Sequence, residues 1–272
     1  MAAFRDILYA VEDRVAVLTL NRPDRMNAFG AVLRAEFQEA IRQADADSEV
    51  RVVVIKGAGG KAWSAGYDIK ETATGQSKGV EEWREILGEE MRFCTAPWDC
   101  AKPVIAMIEG YCLAGAMEVA LCCDIRYCSD DSTFGVVETR FSNGILCMIA
   151  PWVVGQLSRE MIYTGDRFGA AEAKEFGVVN RVFPKADLEA ETMKIAKRMS
   201  RVALDCLRWN KRAINQAYET MGIKSALAYG LEACVIMDAS NTPEYAAFNK
   251  IRVEQGLGPA LAHLSAQFAP YE

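Results

Sequence analysis

The most informative part of the chain is residues 110–144, which read GYCLAGAMEVALCCDIRYCSDDSTFGVVETRFSNG. A strand is predicted just before it, at residues 104–108, and the small residues 112–116 lead into an apolar helix predicted over residues 116–123. A second strand is predicted at residues 125–128. A polar turn then returns the chain to a short strand end at residues 134–137. Two carboxylates, Glu118 and Glu138, lie in these otherwise apolar surroundings.

Glu118 falls in the first turn of the predicted helix, just after a glycine. A helix that begins at Gly115 leaves unpaired N–H groups with the positive end of its dipole behind them, so this turn can bind an oxyanion. One interpretation is that Glu118 only complements the helix dipole. The other is proton transfer, because the apolar residues 119–122 raise a carboxyl pKa towards the useful range and the segment offers no basic partner.

Glu138 follows the strand end at residues 134–137, twenty residues after Glu118. A salt bridge to Arg140 or to a neighbouring chain is one interpretation of this acid. The spacing also leaves room for helix, strand and turn before the chain returns. The two glutamates can therefore face one cavity.

A second group of small residues lies at positions 62–70, AWSAGYDIK. It follows a strand predicted at residues 50–55 and precedes a helix. A plain turn is one interpretation of this segment. The alternative is a second set of free backbone N–H groups that can meet a ligand.

Composition narrows the class of protein. The 272 residues are 51% hydrophobic and 25% charged, which is typical of a soluble globular protein. The net charge of −6 argues against a broad attraction to nucleic acid. The longest apolar run, residues 145–154, is too short to span a bilayer, so no membrane association is expected.

Cysteine and histidine usage bears on the chemistry. Nine cysteines without a C-x-x-C motif predict reduced thiols and no metal site. His263 is the only histidine, so carboxylates are the expected acid–base groups. The first residues lack the features of a signal or transit peptide, which together with the thiols predicts a cytoplasmic protein. From residue 185 only helices are predicted, which divides the chain into a core, 1–184, and a helical C-terminal region, 185–272.

These motifs identify a family. Over roughly residues 14–250 the chain resembles the crotonase (enoyl-CoA hydratase/isomerase) superfamily. The matching segments are Asn21-Arg22-Pro23 with Asn27-Ala28, residues 62–69, residues 110–124, and Phe134-Gly135 with Glu138. The resemblance implies an α/β superhelix of repeated β-β-α units (ClpP-like), with C-terminal helices that pack on a neighbouring subunit. It also implies a homotrimer or a homohexamer (dimer of trimers), an acyl-CoA substrate, and no cofactor other than the coenzyme A of that substrate.

The resemblance also assigns roles to residues. It implies that the N–H groups of Tyr67 and Gly115 form an oxyanion hole for the thioester oxygen. In hydratases of the family the group at Glu118 activates water for attack on C3, and the group at Glu138 exchanges the proton at C2. The residues expected along the substrate are Met26, Ala28, Ala65, Gly66, Asp68, Ile69, Ala114 and Leu146.

The chain departs from the family pattern at the acyl end. Ala114 stands where glycine is common, and Leu146 takes a glycine position whose N–H helps to hold the water. Bulkier side chains therefore reshape the acyl site, and the aromatic Tyr67 and Trp63 are expected to crowd the oxyanion loop. An unusual acyl group is expected, with plain crotonyl-CoA a poor substrate.

The predicted function is hydration of the 2,3-double bond of an enoyl-CoA thioester. Alternatives on the same fold are a Δ3,Δ2-enoyl-CoA isomerase, which needs one carboxylate, and an acyl-CoA thioester hydrolase. A non-catalytic acyl-CoA-binding or RNA-associating member is a further alternative. The retained acid pair and the acidic net charge weigh against it.

Overall fold

Two β-sheets organise the chain in a computed structural model that describes residues 4–72 and 78–271. The larger sheet has the spatial order β1 (Ile7–Glu12), β2 (Val15–Leu20), β3 (Val52–Gly57), β5 (Val104–Ile108), β7 (Ile125–Ser129) and β10 (Arg181–Phe183). The smaller has the order β4 (Ala62–Ser64), β6 (Tyr111–Leu113), β8 (Thr133–Gly135) and β9 (Arg167–Gly169). Among the strands that the structure describes, only the β1–β2 and β8–β9 pairs are antiparallel.

Helices cover both sheets and make up the C-terminal region. Those before β10 are α1 (Ala31–Ala46), α2 (Ile69–Thr72), α3 (Val80–Asp99), α4 (Gly115–Leu121), α5 (Ala150–Val154), α6 (Leu157–Thr164) and α7 (Ala170–Glu175). Those after it are α8 (Leu188–Met199), α9 (Leu204–Thr220), α10 (Ile223–Ser240), α11 (Pro243–Gln255) and α12 (Leu257–Phe268). Short 3₁₀ helices occupy Pro23–Arg25, Val137–Phe141 and Ala269–Tyr271. Within the described ranges, every helix is too short or too polar to cross a bilayer.

The chain alternates between the sheets in a regular way. Each of the pairs β3/β4, β5/β6 and β7/β8 places its first strand in the larger sheet and its second in the smaller. Repetition of this step winds the chain as a superhelix of β-β units, with α2 and α4 following the first two. The short strands β4, β6 and β9 were not predicted as strands, because three residues are too few to display an alternating pattern.

The core lies on both faces of the larger sheet. Strands β3 and β5 read VVVIKG and VIAMI, and their apolar residues are almost fully buried, as expected for parallel strands covered on two sides. One face packs against α1 through Leu33, Phe37 and Ile41. The other packs against α8 through Leu188 and Ile195. All nine cysteines are free thiols and only Cys206 is exposed, in agreement with the prediction from their spacing.

A buried lysine attaches α9 to this core. Lys211 is 6% exposed, and its ammonium group donates to Asp124 Oδ2 at 2.8 Å. It also donates to the carbonyls of Pro97 at 2.8 Å and Lys102 at 3.0 Å. The same oxygen of Asp124 accepts from the N–H of Val104 at 2.7 Å. The lysine therefore joins α9, the end of α3 and the start of β5.

Replacing Lys211 by methionine is expected to lower the free energy of unfolding by about 3 kcal/mol, because Asp124 and two carbonyls lose their buried cation. Urea unfolding measures the change. The matched control is Lys194→Met, whose ion pair with Glu191 is 72% exposed on the lysine side and is worth below about 1 kcal/mol. Equal losses in the two variants would contradict the assigned role of Lys211.

Candidate active site

The candidate site lies where three parallel strands of the smaller sheet end. Strands β4, β6 and β8 are in register through the pairs Ser64↔Cys112 and Leu113↔Gly135. Carboxyl ends of parallel neighbours meet at one edge of a sheet, so the segments that follow these strands converge. Those segments carry Tyr67, Ala114-Gly115 with Glu118, and Glu138.

The backbone at Tyr67 is oriented by a parallel bridge to Phe29. The N–H of Phe29 donates to the carbonyl of Gly66 at 2.8 Å, and the N–H of Asp68 donates to the carbonyl of Phe29 at 3.4 Å. Because successive N–H groups of an extended chain point to opposite sides, the N–H of Tyr67 points away from Phe29.

The N–H of Gly115 adjoins this segment. A Cβ atom on Gly66, whose φ is +87°, would lie 3.1 Å from the nitrogen of Gly115 and 2.8 Å from Cβ of Ala114. Gly115 is the first residue of α4, where an N–H has no partner within the helix. Across residues 4–72 and 78–271, the N–H groups of Tyr67 and Gly115 donate no hydrogen bond to the backbone.

The side chain of Tyr67 lies directly against Gly115. A Cβ atom on Gly115 would lie 2.4 Å from Cε2 of the tyrosine ring, so only glycine fits there. The ring makes edge contacts with Phe29 and Phe93, and its hydroxyl lies 3.2 Å from Sγ of Cys94. Trp63, in contrast, is fully buried in the core and donates to the carbonyl of Ile55, so Tyr67 is the aromatic residue that lies on Gly115.

Glu118 is 3% exposed and its carboxylate is held by hydrogen-bond donors. The N–H of Cys147 donates to Oε1 at 3.0 Å, and the thiol of Cys94 donates to Oε2 at 3.6 Å. Burial raises the pKa of Glu118 above its ordinary value, and these two donors together with the N–H of Leu146 reduce the rise without cancelling it. The donors favour the ionised form of this acid.

Glu138 has the opposite environment. Both of its carboxyl oxygens are buried, and neither forms a hydrogen bond with another described residue. Burial raises the pKa of Glu138 well above its ordinary value, and the neighbouring charge of Glu118 raises it further. Arg140 instead binds the carbonyl of Thr164 and the carboxylate of Asp166. The salt-bridge interpretation with Arg140 is therefore wrong.

The two glutamates therefore differ in the protonation state that their surroundings favour. Burial raises the pKa of both acids, but Glu118 has donors on both of its oxygens and is therefore the more readily ionised of the two. Glu138, without a donor from another described residue and beside another acid, is stabilised in its protonated form. Pairs of acids whose surroundings push their pKa values apart are typical of general acid–base catalysis. Because each acid feels the other's charge, the pair titrates together.

The remaining residues expected along the substrate lie on two interlocked loops and on the loop after Glu138. The N–H of Ala65 donates to the carbonyl of Met26 at 3.0 Å. Arg22 donates to the carbonyl of Ala28 at 2.8 Å and pairs with the buried carboxylate of Asp68 at 3.0 Å. Asp68 thus joins the loops through its side chain. Ile69 begins α2, Ala114 precedes α4 with a φ of 55°, and Leu146 packs with Leu87 and Cys234 while its N–H faces Glu118.

Four residues at this site were not predicted from the sequence: Arg34, Glu90, Cys94 and Cys147. Glu90 and Cys94 lie four residues apart on α3 and share a face of that helix. Arg34 lies 3.6 Å from Glu90 and 5.7 Å from the centre of the Tyr67 ring. An acid on the otherwise apolar face of α3 was the one available signal. Nothing in the sequence distinguishes Cys94 and Cys147 from the other buried cysteines.

Glu90 imposes a pH dependence on stability. Burial raises its pKa from 4.5 to about 7, against the lowering effect of Arg34. The folded protein therefore keeps a proton that the unfolded chain loses above pH 4.5. Since the unfolded state then binds fewer protons, this contribution to stability falls as the pH rises to about 7.

Glu90→Gln is expected to remove this loss of stability at higher pH. Relative to the wild type, the variant gains about 3 kcal/mol in free energy of unfolding between pH 4.5 and pH 8. Urea unfolding at a series of pH values measures the difference. Glu85→Gln, at an exposed position of α3, is the control and should follow the wild-type curve. Parallel curves for Glu90→Gln and the wild type would contradict the prediction.

Comparisons with known proteins agree with this geometry. The family model described as enoyl-CoA hydratase/isomerase matches residues 10–234. A hydroxycinnamoyl-CoA hydratase-lyase of Pseudomonas fluorescens is 32% identical over 72% of this chain and 73% of its own length. The crotonyl-CoA hydratase of Syntrophomonas wolfei is 34% identical over 79% of this chain and 83% of its own.

A solved structure gives the same result for the fold. The crystal structure of an enoyl-CoA hydratase/isomerase from Xanthobacter autotrophicus Py2 has a TM-score of 0.95 at 38% identity, covering 98% of this chain and 99% of that one. The chain belongs to the enoyl-CoA hydratase/isomerase family. The family and the crotonase-type α/β fold predicted from the sequence are thereby confirmed.

Proposed function

We propose that the protein is an enoyl-CoA hydratase, a lyase that adds water across the 2,3-double bond of an enoyl-CoA thioester. The observation that carries the proposal is the division between the two buried acids, one surrounded by donors and the other without any. Addition of water needs both a base on the water and a proton for the neighbouring carbon. Relatives named as hydratases, among them the crotonyl-CoA hydratase, support the assignment.

In this proposal the N–H groups of Tyr67 and Gly115 form the oxyanion hole. They bind the thioester oxygen, on which negative charge develops when C3 is attacked, and preorganised donors stabilise that charge. Glu118 takes a proton from the attacking water, and the N–H groups of Leu146 and Cys147 orient its carboxylate. Glu138 delivers its proton to C2. Met26, Ala28, Ala65, Gly66, Asp68, Ile69 and Ala114 are proposed to line the path of the CoA thioester.

A panel of 2-enoyl-CoA thioesters tests the proposal. The panel includes crotonyl-CoA and hydroxycinnamoyl-CoA, because two of the relatives are named for these two substrates. Loss of enoyl-thioester absorbance is measured together with mass spectrometry for the gain of one water. Release of free CoA would reveal a thioester hydrolase. Failure of every member of the panel to gain water would overturn the hydratase proposal.

A Δ3,Δ2-enoyl-CoA isomerase is the second candidate. The observation that favours it is the environment of Glu138, whose two buried oxygens form no hydrogen bond with another described residue and are suited to carry a proton between two carbons. An isomerase needs only the proton shuttle of Glu138. Incubation with a 3-enoyl-CoA, followed by chromatographic separation of the 2-enoyl product, distinguishes the two reactions.

The assembly and cellular setting belong to the same proposal. We propose a homotrimer or a dimer of trimers formed through the C-terminal helices, which expose Trp209 at 66% and Tyr229 at 79%. Exposed aromatic residues of this kind are typical of contact surfaces. A cytoplasmic location is proposed from the buried thiols. Light scattering of the purified protein measures the number of subunits. The reaction is proposed to need no cofactor beyond the CoA of the substrate.

A further inference from the structure

We propose that Cys94 is a positioning residue that couples the side chain of Tyr67 to the carboxylate of Glu118. The inference rests on the hydration reaction proposed above. Cys94 lies on α3 and is fully buried, so it acts through the two residues that it contacts. One of those residues belongs to the proposed oxyanion hole and the other is the proposed base.

The contacts of Cys94 account for the geometry of both partners. Its sulfur lies 3.2 Å from the hydroxyl of Tyr67 and 3.6 Å from Oε2 of Glu118. The other oxygen of Glu118 is held by the N–H of Cys147, so the thiol completes the support of the carboxylate. The tyrosine ring in turn lies against Gly115, which provides the second amide of the oxyanion hole.

The hydrogen bonds that link Tyr67, Cys94 and Glu118 share one donor direction, from the tyrosine towards the glutamate. A thiol has a single hydrogen, and a carboxylate can only accept, so the S–H of Cys94 is donated to Glu118. The hydroxyl of Tyr67 must then be the donor to the sulfur. Burial and the neighbouring charge of Glu118 raise the pKa of the Cys94 thiol, which keeps that hydrogen in place. Tyr67 and the base are therefore connected through one side chain.

Other titratable or charged groups face these three side chains from the surrounding elements. They are Arg34 of α1, Glu90 of α3, Cys122 of α4, Glu138, Cys147, and Cys234 of α10. Among the described residues, Cys94 is the only one whose side chain forms a hydrogen bond with Glu118, because the bond from Cys147 comes from its main-chain N–H. A change confined to the thiol therefore acts directly on this carboxylate and on the Tyr67 hydroxyl.

The test compares Cys94→Ala and Cys94→Ser with the wild type. Alanine removes the donor, so kcat/KM for the best enoyl-CoA of the panel should fall by about 10- to 100-fold as the base loses its orientation. Loss of a donor to the charged form raises a carboxyl pKa, so the acidic limb of the kcat/KM profile should move to higher pH. Serine keeps an O–H that both donates and accepts. Cys94→Ser should therefore retain most of the wild-type kcat/KM, with the acidic limb of its pH profile at the wild-type position.

Cys128→Ala is the matched control, since Cys128 is also fully buried but lies in β7, with Asp130, Asp131 and Ser132 as its polar neighbours. A purely structural role for Cys94 predicts equal losses for alanine and serine and an unmoved acidic limb. Either result would overturn the proposal. If Cys94→Ala does not fold, Cys94→Val, which fills the space without a donor, supplies the same readout.

A second readout does not depend on turnover. In protein labelled with ¹³C at the glutamate carboxyl carbons, the signal of Glu118 is assigned by its loss in Glu118→Gln and titrated by NMR. The pKa of Glu118 should rise in Cys94→Ala and stay near the wild-type value in Cys94→Ser. An unshifted titration would refute the role of Cys94, whereas a wild type that hydrates no enoyl-CoA would refute the proposed function alone.

Discussion

Glu138→Gln is expected to lower kcat for hydration by about 10²- to 10⁴-fold, the range typical of a lost general acid or base. Glutamine has nearly the shape of glutamate but no proton to deliver to C2. Both oxygens of Glu138 are buried without a donor from another described residue, so no neighbouring group can replace it. Binding of the CoA part should change little, so the loss should appear in kcat more than in KM.

Glu118→Gln distinguishes the two candidate reactions. In a hydratase this substitution removes the base that activates water, so kcat for hydration should fall about as far as in Glu138→Gln, by about 10²- to 10⁴-fold. An isomerase needs one proton shuttle and should retain most of its activity. Steady-state rates with 2-enoyl-CoA and 3-enoyl-CoA substrates measure both variants.

The control for both substitutions is Glu175→Gln, on an exposed position of α7, which should match the wild type. Undiminished hydration in the Glu118 and Glu138 variants would exclude the acid pair from the mechanism. Loss of activity in the control as well would point to a general effect on folding.

Gly115→Ala is expected to lower kcat/KM by about 10²- to 10³-fold, the usual effect of losing one oxyanion-hole donor. The new Cβ atom would lie 2.4 Å from Cε2 of Tyr67. The ring cannot easily move away, because Phe29 and Phe93 pack against it and Cys94 holds its hydroxyl. The start of α4 must therefore shift, and the N–H of residue 115 moves with it.

Removal of the ring provides the critical comparison. In the double variant Gly115→Ala/Tyr67→Ala, both main-chain N–H groups are kept and the clash is gone, so part of the lost activity should return. Gly88→Ala on α3, where a Cβ atom would meet only Arg92 at 3.8 Å, is the control and should retain activity. A double variant no better than Gly115→Ala would show that the clash with Tyr67 is not the cause of the loss.

Much of the fold was predictable from local patterns. Apolar residues at helical spacing predict helices over residues 31–46 and 188–199, and a continuous apolar run predicts a strand at residues 104–108. These bounds agree with α1, α8 and β5. The sequence pattern predicts a helix over residues 81–96, but α3 runs on to Asp99. Pro97 lies inside it and removes one helical hydrogen bond, to the carbonyl of Phe93, without ending the helix. The division into 1–184 and 185–272 remains a prediction.

The individual chemical groups were also visible in the chain. Glycines at 66 and 115, small residues around them and acids in apolar segments are local features, since each reflects what one backbone turn or one helix start requires. Motif order along the chain was enough to identify the family. The residue types and the family could therefore be inferred without coordinates.

The amino-acid sequence alone determined the family, the main helices and long strands, and the two glutamates as candidate acids. Only the tertiary structure decided which donors meet each carboxylate. Convergence of β4, β6 and β8 brings α3 and the loop after Glu138 onto Glu118, and places Cys94 and Cys147 there, 24 and 29 residues away along the chain. The protonation state of a buried acid depends on such long-range neighbours, which no local pattern contains.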